Sequence, residues 1–285
     1  MGAQIALWWG VFALVLVGCS NEPQVFECVN NVDSELRPLE EHDYIAHAGG
    51  SPRGLEQDPP YTNSREAFEA SYKNGFRVFE FDMITLGDGT VVLAHHDAEE
   101  HYDLEIEFTD ATRADLEGRR YDGSYELLFA EDLIELMVAY PDIWIIIDSK
   151  WDHEIIAQTL VDMAPNDAVR DRLVPHLKSA EHTQALVDIY PFPEQMIALY
   201  RWEGNDTAVI QRMSAYGVDN VMMWWDTRWS EQTQEDLSAA GLNVWVHTPT
   251  EDSVIESFLA KGVRVYSNGY ISPCIVESPT PDGSV

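Results

Sequence analysis

The chain has 285 residues, of which 45% are hydrophobic, enough apolar mass for a sizeable globular core. Acids outnumber bases 50 to 17, and the formal charge of −33 excludes a nucleic-acid binder working through a basic footprint and loose adhesion to anionic lipid headgroups. Three cysteines are too few for a disulfide scaffold.

Residues 1–19 carry no Asp, Glu, Lys or Arg, and the run from Ile5 to Val17 is almost wholly apolar. An apolar stretch closed by small residues has the outline of a secretory signal. Leu16-Val17-Gly18-Cys19 resembles the bacterial lipobox. That resemblance implies cleavage before Cys19 and acylation of its sulfur; an uncleaved N-terminal anchor is the alternative. Both readings place the body outside the cytoplasm, lipid-anchored or otherwise tethered to a bacterial membrane, at the outer membrane or its periplasmic face. Cys28 and Cys274 flank the body and are either bridged, as an oxidising compartment permits, or two separate thiols. Beyond residues 1–19 the acids are spread along the rest of the chain, which predicts a heavily hydrated surface.

Residues 20–42 are polar with scattered Pro and Asn and read as a linker. A regular alternation follows. Apolar, β-rich runs stand at 44–48, 78–84, 143–149, 172–177, 195–201, 219–225, 242–247 and 263–267. Amphipathic helical patterns separate most of them, at Ser64–Asn74, His153–Ala164, His182–Tyr190, Asp206–Tyr216, Ser230–Ala240 and Asp252–Lys261. Eight such units predict an α/β fold, a (β/α)8 TIM barrel over 43–275, with a short tail at 276–285. A doubly wound open sheet is the runner-up, but His47-Ala48-Gly49-Gly50 lacks the spacing of a dinucleotide loop. The long stretch 86–142 predicts a small insertion after strand two, opened by a hairpin across Gly87-Asp88-Gly89.

Chemistry in such a barrel sits where the strands end. Strand one ends in His47, strand two carries Glu80 and Asp82, strand three ends in Asp148 and Lys150, strand five in Tyr200 and Arg201, and strand seven in His247. The hairpin returns to His95-His96-Asp97. Glu80 and Asp82, two apart on a strand, point to one face, while Phe79, Phe81 and Ile147 face the helices. Carboxylates converging at the mouth repel and need a cation, and hard oxygen donors select one divalent ion, Ca²⁺ or Mg²⁺. His47 and His96 are the acid–base candidates, because imidazole titrates near neutrality. Zinc held by histidines is a weaker reading, since no helix carries a His-x-x-x-His pair.

The order of these residues resembles the glycerophosphodiester phosphodiesterase family. The likeness rests on Ile45-Ala46-His47, Thr62-Asn63-Ser64, Phe79-Glu80-Phe81-Asp82, Thr85-Leu86-Gly87-Asp88-Gly89, His96-Asp97 and Ile147-Asp148-Ser149-Lys150. Asn243-Val244-Trp245-Val246-His247-Thr248 and Gly262-Val263 resemble its last two strands, and the likeness spans roughly 44–272. It implies a barrel with a divalent ion on Glu80, Asp82 and Asp148, and catalytic histidines at His47 and His96. Lys150, Arg201, Asn63, Trp245 and His247 would bind substrate, with Trp224, Trp225 and Tyr200 lining the headgroup side. The implied substrate is a small phosphodiester or lipid headgroup, attacked in line.

Four positions depart from the family pattern. Ala48 stands where Arg is usual after the first His, Thr62 where Glu is usual, Asn268 where a terminal Asp is usual, and His95 precedes His96. His96 is preferred over His95 because Asp97 follows it. These departures suggest a divergent branch, near phosphatidylinositol phospholipase C-like and sphingomyelinase D-like members. A barrel lipoprotein that binds a phosphorylated ligand without turnover is one alternative. A glycosidase with paired carboxylates is another, to which the His pair and the Asp-x-Lys strand are ill suited.

Overall fold

Eight strands run parallel around a closed ring: β1 (Tyr44–Ala46), β2 (Val78–Thr85), β3 (Trp144–Ser149), β4 (Leu173–Leu177), β5 (Met196–Ala198), β6 (Asn220–Trp224), β7 (Asn243–His247) and β8 (Arg264–Ser267). Each pairs with its successor, and β8 pairs back onto β1, so the ring closes as a (β/α)8 barrel. The structure is a computed structural model describing residues 35–179, 182–200, 204–269 and 273. The predicted signal with Cys19, the cysteines Cys28 and Cys274, Arg201 and the tail lie outside the described residues. No helix among the described residues is long and apolar enough to cross a membrane.

Among the described residues, seven helices of eight residues or more cover the ring: α1 (Arg65–Lys73), α2 (Ala130–Ala139), α3 (His153–Met163), α4 (His182–Ile189), α5 (Asp206–Tyr216), α6 (Glu231–Ala239) and α7 (Asp252–Leu259). Their starts have a local cause. Ser64, Asn205 and Ser230 each accept the N–H of the residue three further on, Ala67, Ala208 and Thr233, at 3.2, 3.0 and 3.0 Å. The pleat then sorts the strands. Phe79, Phe81, Ile145, Ile147, Val221, Val244 and Val265 point outward into the layer beneath the helices, where Phe79 meets Phe68 of α1 at 4.6 Å between ring centroids. Ile45, Val78, Trp144, Ile146, Val174, Met196, Met222, Trp245 and Tyr266 point inward and fill the barrel.

Two findings differ from the sequence expectation. The segment 37–42, read as the end of a linker, is packed: Leu39 is wholly buried in the barrel interior, and Trp144 Nε1 donates to Arg37 O at 2.8 Å. It plugs the end of the barrel where the strands begin, so the folded body starts before residue 43. Trp245, expected to bind substrate, is 0% exposed in that same apolar interior. The inward parity of strand seven places it one layer below His247, among side chains rather than at the mouth.

The insertion is built on the expected hairpin. Residues Met83–Thr85 pair antiparallel with Val91–Leu93, and Leu128–Phe129 extends that edge. Ile84, Val92, Tyr102, Phe108, Leu116 and Tyr121 make a separate small core. The insertion thereby carries His95, His96 and Asp97 to the rim of the mouth.

Candidate active site

Register brings the carboxylates together. Asp82 of β2 is paired with Asp148 of β3, so the two inward carboxylates sit side by side on adjacent strands, roughly 4.8 Å apart along the sheet. Glu80 lies one inward position below and is one methylene longer. Its carboxylate rises level with theirs, and oxygens of all three lie within 4.8 Å of one another. Glu80, Asp82 and Asp148 are 2%, 1% and 9% exposed, so these charges meet in a largely desolvated space.

Each carboxylate is held. Ala48 N–H donates to Glu80 Oε2 at 2.8 Å, from a backbone turned into the left-handed region at φ 50°. Ala48 itself is wholly buried, so this position offers a backbone donor to Glu80 rather than a side chain to the mouth. Asn63, also left-handed at φ 48°, clamps Asp82: its Nδ2 donates to Asp82 Oδ2 at 3.0 Å, and its Oδ1 accepts from Asp82 N at 2.9 Å. Asn63 Nδ2 also donates to Tyr61 O at 3.1 Å. The residue expected to touch substrate is therefore buried and positions a carboxylate instead. Lys150 Nζ lies between Asp82 Oδ1 at 2.5 Å and Asp148 Oδ2 at 2.6 Å.

Protonation follows from these surroundings. Burial, and then Asp82 and Asp148, push the Glu80 carboxyl well above the usual carboxylate range. Burial also pushes Asp148 up, but Lys150, with His176 and Lys178, outweighs it and holds that carboxyl at about 2. Burial works against the Lys150 ammonium, yet Asp82, Asp148 and Glu80 keep it firmly protonated. Three carboxylates share the Lys150 ammonium, with Lys178 Nζ farther off at 3.9 Å from Asp148 Oδ1, so the site is short of positive charge. Its all-oxygen donor set fits Mg²⁺ or Ca²⁺.

His47 is buried beside this group, with Nε2 at 3.9 Å from Glu80 Oε2. Burial lowers its imidazole below the usual range. Its Nδ1 lies 3.1 Å from Asn268 Oδ1. Asn268 reaches it because two glycines let the chain ends cross: a Cβ on Gly269 would stand 2.8 Å from Gly50 Cα, and a Cβ on Gly50 would stand 1.9 Å from Ser71 Oγ. His247 lies on the other side, its Nε2 at 3.1 Å from His47 Nε2. Tyr200 and Trp224 continue the wall, with ring centroids 4.6 Å apart, while Trp225 packs outward against Phe258.

His95 and His96 divide at the rim. Asp97 hydrogen-bonds His95 Nδ1, so the carboxylate that favoured His96 in the sequence serves its neighbour. His95 also faces Tyr61, whose ring stands 4.8 Å from that of His47. His96 is exposed beside Trp151. Burial and then His95 lower its imidazole, and the charges of Lys150 and Asp82 reach it as well.

One neighbour escaped the sequence reading. His176 of β4 is 2% exposed, level with Asp148, its Nδ1 at 3.9 Å from Asp148 Oδ1. Burial holds it neutral, at about 4. Its signal was parity, since Val174 and His176 share the inward face of strand four.

No protein-family model matches the chain, and no curated protein matches it in sequence. Solved structures do match in fold. A glycerophosphoryl diester phosphodiesterase from Parabacteroides distasonis superposes with TM-score 0.61 at 17% identity, over 82% of this chain and 87% of that one. A phosphodiesterase from Oleispira antarctica, in complex with the product sn-glycerol-3-phosphate, superposes with TM-score 0.62 at 16% identity, over 81% and 95%. A glycerophosphodiester phosphodiesterase from Thermotoga maritima superposes with TM-score 0.61 at 15% identity, over 80% and 95%. At such identities the shared property is the barrel.

Proposed function

We propose that this chain is a metal-dependent phosphodiesterase that hydrolyses glycerophosphodiesters or related phospholipid headgroups, held outside the cytoplasm by a lipid on Cys19. The observation that carries the reading is the convergence of His47, Glu80, Asp82, Asp148 and Lys150 on one desolvated barrel mouth. The barrel's likeness to glycerophosphodiester phosphodiesterases supports it, as does the product phosphate monoester held by the Oleispira antarctica protein.

Glu80, Asp82 and Asp148 would hold one divalent ion, Ca²⁺ or Mg²⁺. When bound, that ion supplies positive charge for the phosphoryl oxygens and the attacking oxygen. His47 Nε2 serves as the base for the attacking hydroxyl, steadied from behind by Asn268. His96 hands a proton to the departing alcohol. Lys150, drawn from the carboxylates, and Arg201 neutralise phosphate. Tyr200 and Trp224 give the headgroup an aromatic wall. Tyr61 and Trp224, each 40% exposed at the rim, favour access for intact phospholipid, the phospholipase form of the same chemistry.

The test is phosphorus NMR of glycerophosphocholine, glycerophosphoinositol and sphingomyelin incubated with the protein in Ca²⁺, in Mg²⁺ and in EDTA. Metal-dependent loss of one diester signal is expected, with turnover abolished in His47→Ala. Unchanged spectra in every metal would overturn the phosphodiesterase reading for these three diesters.

A further inference from the structure

Two imidazoles meet at the mouth in a way that assigns their protons. Asn268 Oδ1 lies 3.1 Å from His47 Nδ1, and an amide oxygen only accepts, so His47 carries a proton on Nδ1. The lone pair of neutral His47 is then on Nε2, which faces His247 Nε2 at 3.1 Å. Two lone pairs do not meet at that distance, so His247 bears its hydrogen on Nε2 and donates it. Its Nδ1 is buried and has no hydrogen-bond partner among the described residues.

His247 is also fenced in. The rings of His47, Trp224, Tyr266 and Tyr200 stand 4.5, 4.8, 5.4 and 5.8 Å from it, centroid to centroid. Burial, followed by His47 and His176, holds its imidazole down at about 2. Around neutral pH it does not become a cation, and so it is no second acid or base. What it offers is one N–H, aimed at the nitrogen that the reaction must use.

We propose that His247 is a neutral N–H donor to the phosphoryl group, resting on the His47 lone pair until substrate displaces it. This rests on the phosphodiesterase reading above. The proton of the attacking hydroxyl passes to His47 Nε2, which His247 has vacated. His47 keeps its Nδ1 proton on Asn268, and His247 keeps its own. The hydroxyl oxygen bonds phosphorus, the bond from phosphorus to the departing alcohol breaks, and that alcohol's oxygen takes a proton from His96. His247 meanwhile donates to a phosphoryl oxygen whose charge grows in the transition state. It also caps the base while the mouth is empty.

Two measurements on the full chain test this. Long-range proton–nitrogen NMR of the ¹⁵N-histidine protein should find His47 as the Nδ1–H tautomer and His247 as the Nε2–H tautomer. Inorganic phosphate should then move the His247 Nε2–H resonance. His247 found as Nδ1–H or as imidazolium, or unmoved by phosphate, overturns the proposal. The second measurement is kinetic: His247→Phe keeps a ring without a donor, and His247→Gln keeps an N–H at similar reach. Phe should lower kcat about 100-fold with KM changed by less than about threefold, and Gln should recover about tenfold of that loss. Phe equal to or better than Gln would make the role one of packing. A wild-type chain that cleaves no phosphodiester would sink the proposed function, while the spectra and the phosphate titration would still decide the state of His247.

Discussion

Two clusters of ligand-bearing side chains share this barrel mouth, and burial separates them. In each, oxygen or nitrogen atoms of three residues lie within 4.8 Å: Glu80, Asp82 and Asp148 in one, His95, His96 and Asp97 in the other. The side chains of the first are at most 12% exposed, whereas the Asp97 side chain is 73% exposed and His96 faces solvent. In the buried cluster, like charges act on one another with little water between them, so Glu80 is driven toward protonation and Lys150 is locked in place. At the rim, the hydrogen bond from His95 lowers Asp97. Burial thus turns carboxylates into a demand for a cation. Exposure leaves the His96 ring open to solvent and to an incoming substrate.

The largest expected effect tests the buried side. Lys150→Met removes the ammonium between Asp82 and Asp148 and should destabilise the ion-free protein by about 3–5 kcal/mol, the range for leaving buried charge uncompensated. Thermal unfolding should show much of that loss regained in excess Ca²⁺ or Mg²⁺; no recovery would mean that the carboxylates do not take an ion. Next comes the rim. His96→Ala should lower diester turnover about 100-fold while leaving the melting temperature in place, as befits an exposed proton donor. His95→Ala should be milder, and the reverse order would move the acid to His95, which already owns the Asp97 bond.

Glu80→Gln sharpens the contrast through pH. The native state keeps the Glu80 proton above the pH at which the unfolded chain releases it, so this group's contribution to stability falls as pH rises through its raised pKa. The ion-free Gln variant should therefore match wild type near about pH 4 and exceed it increasingly toward about pH 8. A constant difference across calorimetric scans would show that Glu80 is not strained by its neighbours. The smallest effect belongs to Asp97→Ala, an exposed partner of His95, which should change stability by less than about 1 kcal/mol in the same scans.

How far the sequence reaches follows from what each feature depends on. The strands were legible because their apolar runs and the helices between them are local patterns, and the observed β2, β3, β4 and β7 fall within about two residues of the runs read from them. The pairing of Glu80 with Asp82 on one face was legible for the same reason, the period of two along a strand. Trp245 was misplaced because parity says inward but not how deep. Asn63 was legible as part of the site but not as the clamp on Asp82, since that depends on a left-handed turn 19 residues away in sequence.

The sequence by itself determined the alternation of strands and helices, the (β/α)8 ring that follows from it, and which residue types stand at the strand ends. Periodicity and turn chemistry are short-range, so they survive in a single chain read alone. Only the tertiary structure decided depth and partnership: that β2–β3 register sets Asp82 beside Asp148, that 37–42 plugs the barrel, that Asp97 serves His95, and that His47 is shared between Asn268 and His247. These contacts join residues up to 221 positions apart, and closure of the ring, with two glycines passing at its seam, is what brings them within hydrogen-bonding distance.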